Sequence, residues 1–172
     1  MKSSKLSIAS TGAGIIERIS GKKLSAEVIL VARDEIKTVL KKYGWVFNWK
    51  KEYANDQRQL YKLNISDNSS IQGLLSLEPI KGQQYLEMHL IELAPQNKGE
   101  NRKYLGVARH LVAFACKMAF DMGFEGFVAF TAKTKLIEHY EKAFGADRMF
   151  GQRMCIATEA ARNLVNLHYQ TP

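Results

Sequence analysis

The segment 94–108, with the sequence APQNKGENRKYLGVA, contains the residue types and order that point to anion binding. It joins an alternating apolar stretch to a strongly apolar helical one. The first turn of a helix has free backbone N–H groups and the positive end of the helix dipole, so the main chain itself binds a pyrophosphate placed there. Gly106 and Ala108 allow close approach, and Arg102 and Lys103 add positive charge. Taken alone, the segment is better explained as an ordinary strand-to-helix loop that contains a glycine.

A second segment, 134–146, with the sequence TKLIEHYEKAFGA, is a helical stretch that follows a short apolar one. Its Tyr140 lies five residues before Gly145. If the two strand–helix units are parallel neighbours, both helix starts and Tyr140 meet at one end of the sheet, where ligands of such sheets bind. Without another signal, a tyrosine on an amphipathic helix is more often a core residue.

Hydrophobic periodicity predicts the elements that position these segments in the N-terminal half. Residues 1–22 are polar and predict a loosely held lead-in with an apolar cluster at Ile15, Ile16 and Ile19. Helical spacing predicts a first helix over residues 25–43, ended by Gly44. Period-two alternation predicts strands over 45–49, 61–65, 71–77 and Tyr85–Leu93, with a turn at 67–70.

In the C-terminal half, the period changes to that of helices and short buried strands. The pattern predicts a helix over 107–122, a strand over 124–130, a helix over 135–144, a strand or broken hairpin over 147–157 and a closing helix over 159–168. Meandering strands followed by a strand–helix–strand–helix unit predict one mixed α/β or α+β domain that spans residues 1–172.

Together the two segments resemble the GCN5-related N-acetyltransferase (GNAT) family. The family motif, Gln/Arg-x-x-Gly-x-Gly/Ala after the fourth strand, is similar to residues 103–108 at Gly106 and Ala108, with Lys103 in its first position. The stretch 140–146 resembles the family's Tyr-Glu-Lys-Leu-Gly-Phe ending with one residue inserted before the glycine. Lys133 replaces a family asparagine ahead of that tyrosine. The resemblance covers about residues 71–146.

The resemblance implies the GNAT fold, a central and mostly antiparallel sheet that is splayed after its fourth strand and flanked by helices. It implies acetyl-CoA as the cofactor and an N-acetyltransferase in which a primary amine attacks the thioester directly. The implied cofactor-binding residues are Leu93, Ala94, Lys103, Tyr104, Leu105, Gly106, Val107, Ala108 and Lys133. The connection 95–103 is longer than is typical, so residues 96–102 are expected to fold over the cofactor or to form part of an acceptor pocket.

The resemblance also implies catalytic roles. Tyr140 is the candidate acid, since a phenol with an ordinary pKa of about 10 is protonated at neutral pH and can donate to the leaving thiolate. A backbone N–H near Leu93 or Ala94 would hold the thioester carbonyl where an oxyanion develops.

Three residues of the fourth strand are candidates for the base. Alternation places Glu87 and His89 on one face and Glu92 on the other, among Leu86, Met88 and Leu90. Family members usually have a bulge in this strand, which can change the face near its end. A charged residue among apolar neighbours needs a reason, so Glu92 and Glu87 rank ahead of His89. A water chain is the alternative to a direct base.

The acceptor is left open as a small-molecule, peptide or protein amine. With 25 Lys and Arg against 17 Asp and Glu, the formal charge is +8, which favours polyanions, although the basic residues occur in small groups. This charge and the segment 45–51 (WVFNWKK) favour an RNA-linked acceptor, as in GNAT toxins that acetylate aminoacyl-tRNA. The aromatic residues of that segment are more simply explained as core. A non-catalytic CoA-binding module is the third interpretation, kept open by Lys103 and Lys133.

Composition limits the remaining choices. Cys116 and Cys155 are the two cysteines, and neither has metal-type neighbours, so no metal site is predicted. No apolar stretch approaches the roughly 18 residues of a membrane span, and residues 1–14 lack a secretory pattern, so a cytoplasmic protein without a membrane partner is expected. A homodimer is compatible with the sequence, and the oligomeric state is left open.

Overall fold

The computed structural model describes residues 8–9, 14–66 and 68–169. The α-helices are α1 (Trp49–Tyr53), α2 (Val107–Asp121), α3 (Ile137–Phe144) and α4 (Thr158–His168). The strands are β1 (Ile8–Ala9), β2 (Ile15–Glu17), β3 (Lys23–Leu24), β4 (Ala26–Leu30), β5 (Gln59–Ile65), β6 (Asn68–Ile80), β7 (Tyr85–Leu93), β8 (Tyr104–Leu105), β9 (Val128–Thr131), β10 (Asp147–Phe150) and β11 (Arg153–Ile156). Short 3₁₀ helices span Arg33–Thr38, Lys41–Tyr43, Lys81–Gln83, Pro95–Asn97 and Thr134–Leu136.

Eight strands form the central sheet, in the order β1-β4-β5-β6-β7-β9-β11-β10. Neighbouring strands are antiparallel except for β7 and β9, which run parallel. A second sheet of three strands, in the order β3-β2-β8, lies at the start of α2. The predicted α+β fold class with a mostly antiparallel sheet is therefore confirmed.

The predicted helix over residues 25–43 is wrong. Ala26–Leu30 is a strand that pairs with β5, and two 3₁₀ helices follow it. Ala26 and Val28 are buried while Glu27 is exposed, so the stretch also has period-two alternation, and pairing in the sheet decided between the two periods. The predicted strand over 45–49 is also wrong, because Asn48 accepts the Lys51 N–H and caps α1 there.

In the rest of the chain, several elements match the prediction, β7 with identical bounds. The hairpin expected over 147–157 and the closing helix are also present. β6 is longer than predicted, because Pro79 pairs with Leu86 instead of ending the strand. The turn expected at 67–70 is replaced by the start of this strand, and its residue 67 lies outside the described residues.

The N-terminal lead-in is more ordered than predicted over its described part. Ile15 is fully buried in the core, and β2 pairs with β8, which immediately precedes α2. Burial of this isoleucine gives the segment a hydrophobic anchor. Residues 1–7 and 10–13, where the rest of the loose lead-in was expected, lie outside the described residues.

The sheet has a hydrophobic core on each face. The helix-side core contains inward residues of α2, α3 and α4, with Leu111, Phe114 and Ile156 among its buried members. The cap-side core lies under residues 33–53, here named the cap segment, and includes Trp45 and Trp49. The long connection from β7 to α2 passes around the end of the sheet between these two faces.

Candidate cofactor and acceptor site

The loop before α2 has the backbone geometry of an anion site. Gly106 is the residue before the helix and has a φ of 90°, in the left-handed region that favours glycine. The first intrahelical bond runs from the His110 N–H to the Gly106 carbonyl at 3.0 Å. The N–H groups of Val107, Ala108 and Arg109 therefore have no hydrogen-bond acceptor within the helix, and they lie at the positive end of the helix dipole.

Buried amide side chains hold this loop in place. Asn97 Oδ1 accepts the Tyr104 N–H at 3.1 Å, and Asn97 Nδ2 donates to the Gln72 backbone and side-chain oxygens at 3.0 Å each. Asn97 and Gln72 are fully buried. Neither residue was predicted from the sequence. The one available signal was Gln72 itself, a polar residue within an apolar strand, which indicates a buried hydrogen-bonding role.

The connection 95–103 was expected to fold over a cofactor or to line an acceptor pocket. It packs on the start of β6, where Gln96 Nε2 donates to the Gln72 side-chain oxygen at 3.2 Å, and on the N-terminal segment, where Arg18 Nε donates to the Arg102 carbonyl at 2.8 Å. Gln96 and Lys103 line a cleft of about 410 Å³ on the cap side. The Lys103 ammonium lies 5.3 Å from the centre of the Tyr104 ring.

A gap opens between β7 and β9 beside this loop. Within the described residues, their ladder joins only Leu86 with Val128 and Glu87 with Ala129, whereas β7 continues to Leu93. The splay predicted after the fourth strand is therefore present. The rest of β7 presents backbone groups toward the gap, and an extended amide-containing ligand can pair with such groups.

The two backbone N–H groups expected to face the thioester differ in their availability. The Ala94 N–H donates to the Gln72 carbonyl at 3.0 Å, and Ala94 is fully buried. Leu93 pairs with Gly73 one position earlier. Because hydrogen-bonded and non-hydrogen-bonded pairs alternate in an antiparallel ladder, the Leu93 N–H points away from β6 and toward the gap. Leu93 is thus the better placed of the two.

A bulge at His89 determines which side chains of β7 share a face. Met88 pairs with Leu77 and Leu90 pairs with Ser76, so β7 has one extra residue between them. Leu86 and Met88 face the helix-side core before the bulge, as Ile91 and Leu93 do after it. The placement of Glu92 on the face of Leu86 and Met88 is therefore wrong, since Glu92 lies on the cap side with Leu90.

The Glu92 carboxylate is saturated with donors. It accepts the N–H groups of Val46 at 2.7 Å and Phe47 at 3.0 Å, the Trp49 indole N–H at 3.0 Å and the Lys98 ammonium at 3.0 Å. Burial alone would raise its pKa, but these hydrogen bonds outweigh burial and lower the pKa. A carboxylate in this state is a weak base and an anchor for the cap segment.

The other two base candidates are also paired. Glu87 forms a bidentate ion pair with Arg153 at 2.7 and 2.8 Å, which raises the pKa of Arg153. His89 Nε2 lies 2.6 Å from a Glu78 carboxylate oxygen. Glu78 and Glu87 are directly opposite one another across β6 and β7. Each has its own partner, His89 for Glu78 and Arg153 for Glu87, which offsets the unfavourable contact of two like charges.

Tyr140 lies on α3, just after β9 in the chain. Its ring packs edge-on against Phe130 of β9 at 5.3 Å and stacks on Phe144 at 5.6 Å. Burial raises the pKa of the phenol. Lys133, the residue expected to contact the cofactor arm, is exposed and directly precedes the 3₁₀ helix that leads into α3. Tyr140 and Lys133 are therefore on the β9 side of the gap, opposite Leu93.

Metal clusters and membrane-spanning helices are both absent from the described part of the chain. Residues 8–9, 14–66 and 68–169 contain no group of three or more His, Cys, Asp or Glu that could hold a metal ion. Within the same ranges, every helix is too short or too polar to cross a membrane.

No family model and no curated protein matches this sequence. The fold, however, matches solved structures of spermidine N-acetyltransferase from Vibrio cholerae. A complex with CoA and spermine has a TM-score of 0.57 at 15% identity, covering 80% of this chain and 98% of that one. A complex of the spermidine/spermine enzyme SpeG with manganese ions has a TM-score of 0.56 at 16% identity, covering 80% and 95%. A dodecameric form has a TM-score of 0.57 at 15% identity, covering 78% and 94%. The shared architecture confirms the predicted fold.

Proposed function

We propose that this chain, which has the GNAT fold, is an acetyl-CoA-dependent N-acetyltransferase that acts on a primary amine. The observation that carries the proposal is the free first turn of α2 behind Gly106, placed beside the gap between β7 and β9. A pyrophosphate on that turn would place a linear thioester arm along the gap. In the reaction the amine nitrogen bonds to the acetyl carbon, the carbon–sulfur bond breaks, the amine loses a proton and the thiolate gains one.

The loop fits acetyl-CoA by its backbone. Within residues 103–108, Val107 and Ala108 supply free main-chain donors, and the left-handed Gly106 lets a phosphate come close, whereas the Lys103 and Tyr104 N–H groups are already bonded inside the protein. Leu93 supplies a gap-facing N–H for the thioester oxygen, and Lys133 adds positive charge on the opposite side. Bound acetyl-CoA supplies the electrophilic carbonyl and the leaving thiolate, and the protein supplies position and proton transfer.

Tyr140 is the acid in this proposal. Because burial raises its pKa, the phenol keeps its proton at neutral pH and can donate it to the departing sulfur. Its contacts with Phe130 and Phe144 fix the ring at the edge of the gap.

The geometry changes the ranking of the bases. Glu92 is occupied by four donors and Glu87 by a bidentate arginine, whereas His89 has one ring nitrogen on Glu78 and a partly exposed side chain. A carboxylate that orients one nitrogen of a histidine leaves the other for proton transfer. We therefore place His89 first and Glu87 second, and Glu92 becomes a positioning residue.

The acceptor is proposed as a primary amine without a narrower class. Spermidine and spermine belong in the panel because the similar structures are of spermidine N-acetyltransferases. The net charge of +8 opposes long-range attraction of such polycations, so peptide and small monoamine acceptors belong beside them.

Two measurements test the proposal. Acetyl-CoA at millimolar concentration should raise the melting temperature, because a ligand that binds only the folded state stabilises it. Thiol release over the amine panel should then show turnover with at least one acceptor. Absence of a thermal shift would rule out the cofactor site, and a shift without turnover on any amine would favour the non-catalytic CoA-binding module.

A further inference from the structure

The cap segment has an unusual excess of unpaired positive charge. Its basic residues are all exposed, namely Arg33, Lys37, Lys41, Lys42, Lys50 and Lys51. Of its three acids, Glu35 is paired with Lys62 and Glu52 with Arg58, both from outside the segment. Among the described residues, none of the six cations is in an ion pair, and Asp34 is the one carboxylate of the segment without such a partner.

Aromatic rings are exposed among these cations. Tyr43 is 55% exposed and Tyr53 is 38% exposed, and the Lys42 ammonium lies 5.0 Å from the centre of the Tyr43 ring. The two tryptophans of the segment point the other way, since Trp45 and Trp49 are buried in the cap-side core. The stacking surface is therefore formed by tyrosines, and the indoles that the sequence suggested for this role are excluded from it.

The polar cleft of about 410 Å³ opens beside the same segment. Thr38, which lies between Lys37 and Lys41 in the chain, lines it together with Asn68, Ser70, Gln96 and Lys103. Hydroxyl and amide groups of this kind can bind a phosphate or the edge of a base, and Lys103 adds one cation.

We propose that the cap segment and this cleft bind single-stranded nucleic acid. The six cations would follow the phosphate backbone, Tyr43 and Tyr53 would stack on bases, and the cleft would take one nucleotide. An acidic protein would match the charge, but it would leave the exposed rings and the amide-lined cleft without a function. None of the six cations lies in the proposed cofactor loop, and Lys103 is the one residue that this loop shares with the cleft.

The cap segment also has a fixed position relative to the proposed chemistry. Glu92 at the end of β7 accepts the N–H groups of Val46 and Phe47, which ties the segment to the strand that carries Glu87 and His89. A nucleic-acid strand bound to the cap segment would lie on the same face of the sheet as the Glu87 and His89 side chains. An amine attached to that strand could then approach them.

Fluorescence anisotropy of the full chain with labelled single-stranded 12-nucleotide probes, oligo-U and oligo-dT, tests the proposal. Contact with about five phosphates predicts affinity that falls about 100-fold between 50 and 200 mM salt. The triple variant Lys41→Gln, Lys42→Gln, Lys50→Gln should bind at least about tenfold more weakly and lower the salt slope by about 2. Tyr43→Ala should weaken binding with the slope unchanged. The two probes distinguish RNA from DNA.

The matched control is the triple variant Lys117→Gln, Lys142→Gln, Arg162→Gln, which removes the same charge from α2, α3 and α4 on the opposite face of the sheet. It should retain affinity within about threefold. Equal weakening by both triple variants would reduce the effect to net charge and overturn the proposal. Absence of saturable binding to either probe would also overturn it. If polyglutamate bound as tightly as the probes and Tyr43→Ala had no effect, the partner would be identified as an acidic protein and the proposal would fail.

Discussion

The side-chain oxygen of Asn97 accepts the backbone N–H of Tyr104 at 3.1 Å, inside the protein and two residues before the glycine that starts α2. The same amide group donates twice to Gln72 on β6. The free N–H groups of the proposed cofactor loop are thus aligned by a fully buried amide that a bound ligand would not touch.

Asn97→Ala should therefore weaken acetyl-CoA binding. Removal of the amide leaves a buried N–H and a buried glutamine unpaired, which costs about 1–3 kcal/mol in stability. We expect the KM for acetyl-CoA to rise about tenfold while kcat changes much less, because the loop is displaced and the reacting groups are not. Gln96→Ala, at an exposed residue whose amide meets Gln72 at 3.2 Å, is the control and should leave KM within twofold to threefold. An Asn97→Ala enzyme with an unchanged KM would show that this amide does not position the loop.

Gly106→Ala should reduce cofactor affinity more than its cost in stability suggests. A side chain at φ 90° is strained by about 1–2 kcal/mol, and its Cβ would have the Gly14 carbonyl oxygen, at 3.9 Å, as its one neighbour within 4 Å among the described residues, so it would occupy open space that the proposed phosphate needs. Gly99→Ala is a close control, with a φ of 79° and no heavy atom of the described residues within 4 Å of the new Cβ. Isothermal titration with CoA should show loss of affinity for Gly106→Ala alone, although both variants should melt at lower temperature. Gly106→Glu should abolish binding through bulk and like charge.

Tyr140→Phe should retain CoA affinity and lower kcat by about 10² or more, since an apolar ring keeps the contacts with Phe130 and Phe144 but has no proton to donate. Because burial raises the pKa of Tyr140, the phenol stays protonated as pH rises, and its deprotonation should not reduce the wild-type rate below about pH 10. Tyr61→Phe, at a tyrosine bonded to Gln59 on β5, is the control. Equal rates for Tyr140→Phe and the wild type would remove Tyr140 as the acid.

Glu92→Gln and His89→Gln should have different effects. Glu92→Gln places an amide NH₂ among four donors, so we expect a loss of about 2–4 kcal/mol in stability. Because the pKa of Glu92 is lowered in the folded protein, its contribution to stability is present above its unfolded pKa and is lost as pH falls. The pH profile of kcat/KM for the folded fraction should keep its shape.

His89→Gln should instead lower kcat/KM by about 10²–10⁴, as loss of a general base does. Its melting temperature should change little, because the side chain is partly exposed. An unchanged kcat/KM in His89→Gln together with a loss of this size in Glu87→Gln would transfer the role of base to Glu87.

A buried histidine should make stability depend on pH. His110 is fully buried between the rings of His168 and Tyr169, at 5.1 and 5.2 Å, and neither of its ring nitrogens has a hydrogen-bond partner among the described residues. Burial, and next the neighbouring His168, lower the pKa of His110 to about 3. The unfolded chain binds this proton near pH 6.5, so stability is complete above that pH and falls as pH drops toward 3, by about 2–3 kcal/mol at pH 4.5.

His110→Phe should raise the free energy of unfolding at neutral pH by about 1–3 kcal/mol, because an apolar ring removes two unsatisfied nitrogens. It should also flatten the loss of stability between pH 6.5 and 4.5, measured by denaturant titration. His139→Gln, at an exposed histidine, should leave the slope as it is. A steep slope that persisted in His110→Phe would assign the acid sensitivity to another group.

The C-terminal half and β7 could be predicted from sequence because their signals are local. β7 has two-residue alternation on each side of His89, and α2 is apolar at helical spacing until Gly123. The loop at Gly106 was identifiable for the same reason, since a glycine directly before an apolar helix indicates a left-handed turn and a close approach to the free helix N–H groups.

The errors occurred where tertiary contacts decide between local alternatives. Ala26–Leu30 suits either period, and its pairing with β5 made it a strand. The Val46 N–H and the Trp49 indole N–H are brought together by a carboxylate more than 40 positions away in the chain, that of Glu92. Asn97 could not be identified, because its importance depends on Gln72, a residue on another strand.

The extra residue at His89 makes the two halves of β7 opposite in phase. Charged substitutions should be harmful at the helix-side positions, which are Leu86 and Met88 before it and Ile91 and Leu93 after it. Deletion of His89 would make Met88 and Leu90 consecutive, opposite the consecutive Leu77 and Ser76, so the bulge would be lost while Glu92 stayed on the cap side and Leu93 on the helix side. A saturation scan of Tyr85–Leu93 would therefore show a single reversal of its two-residue rhythm.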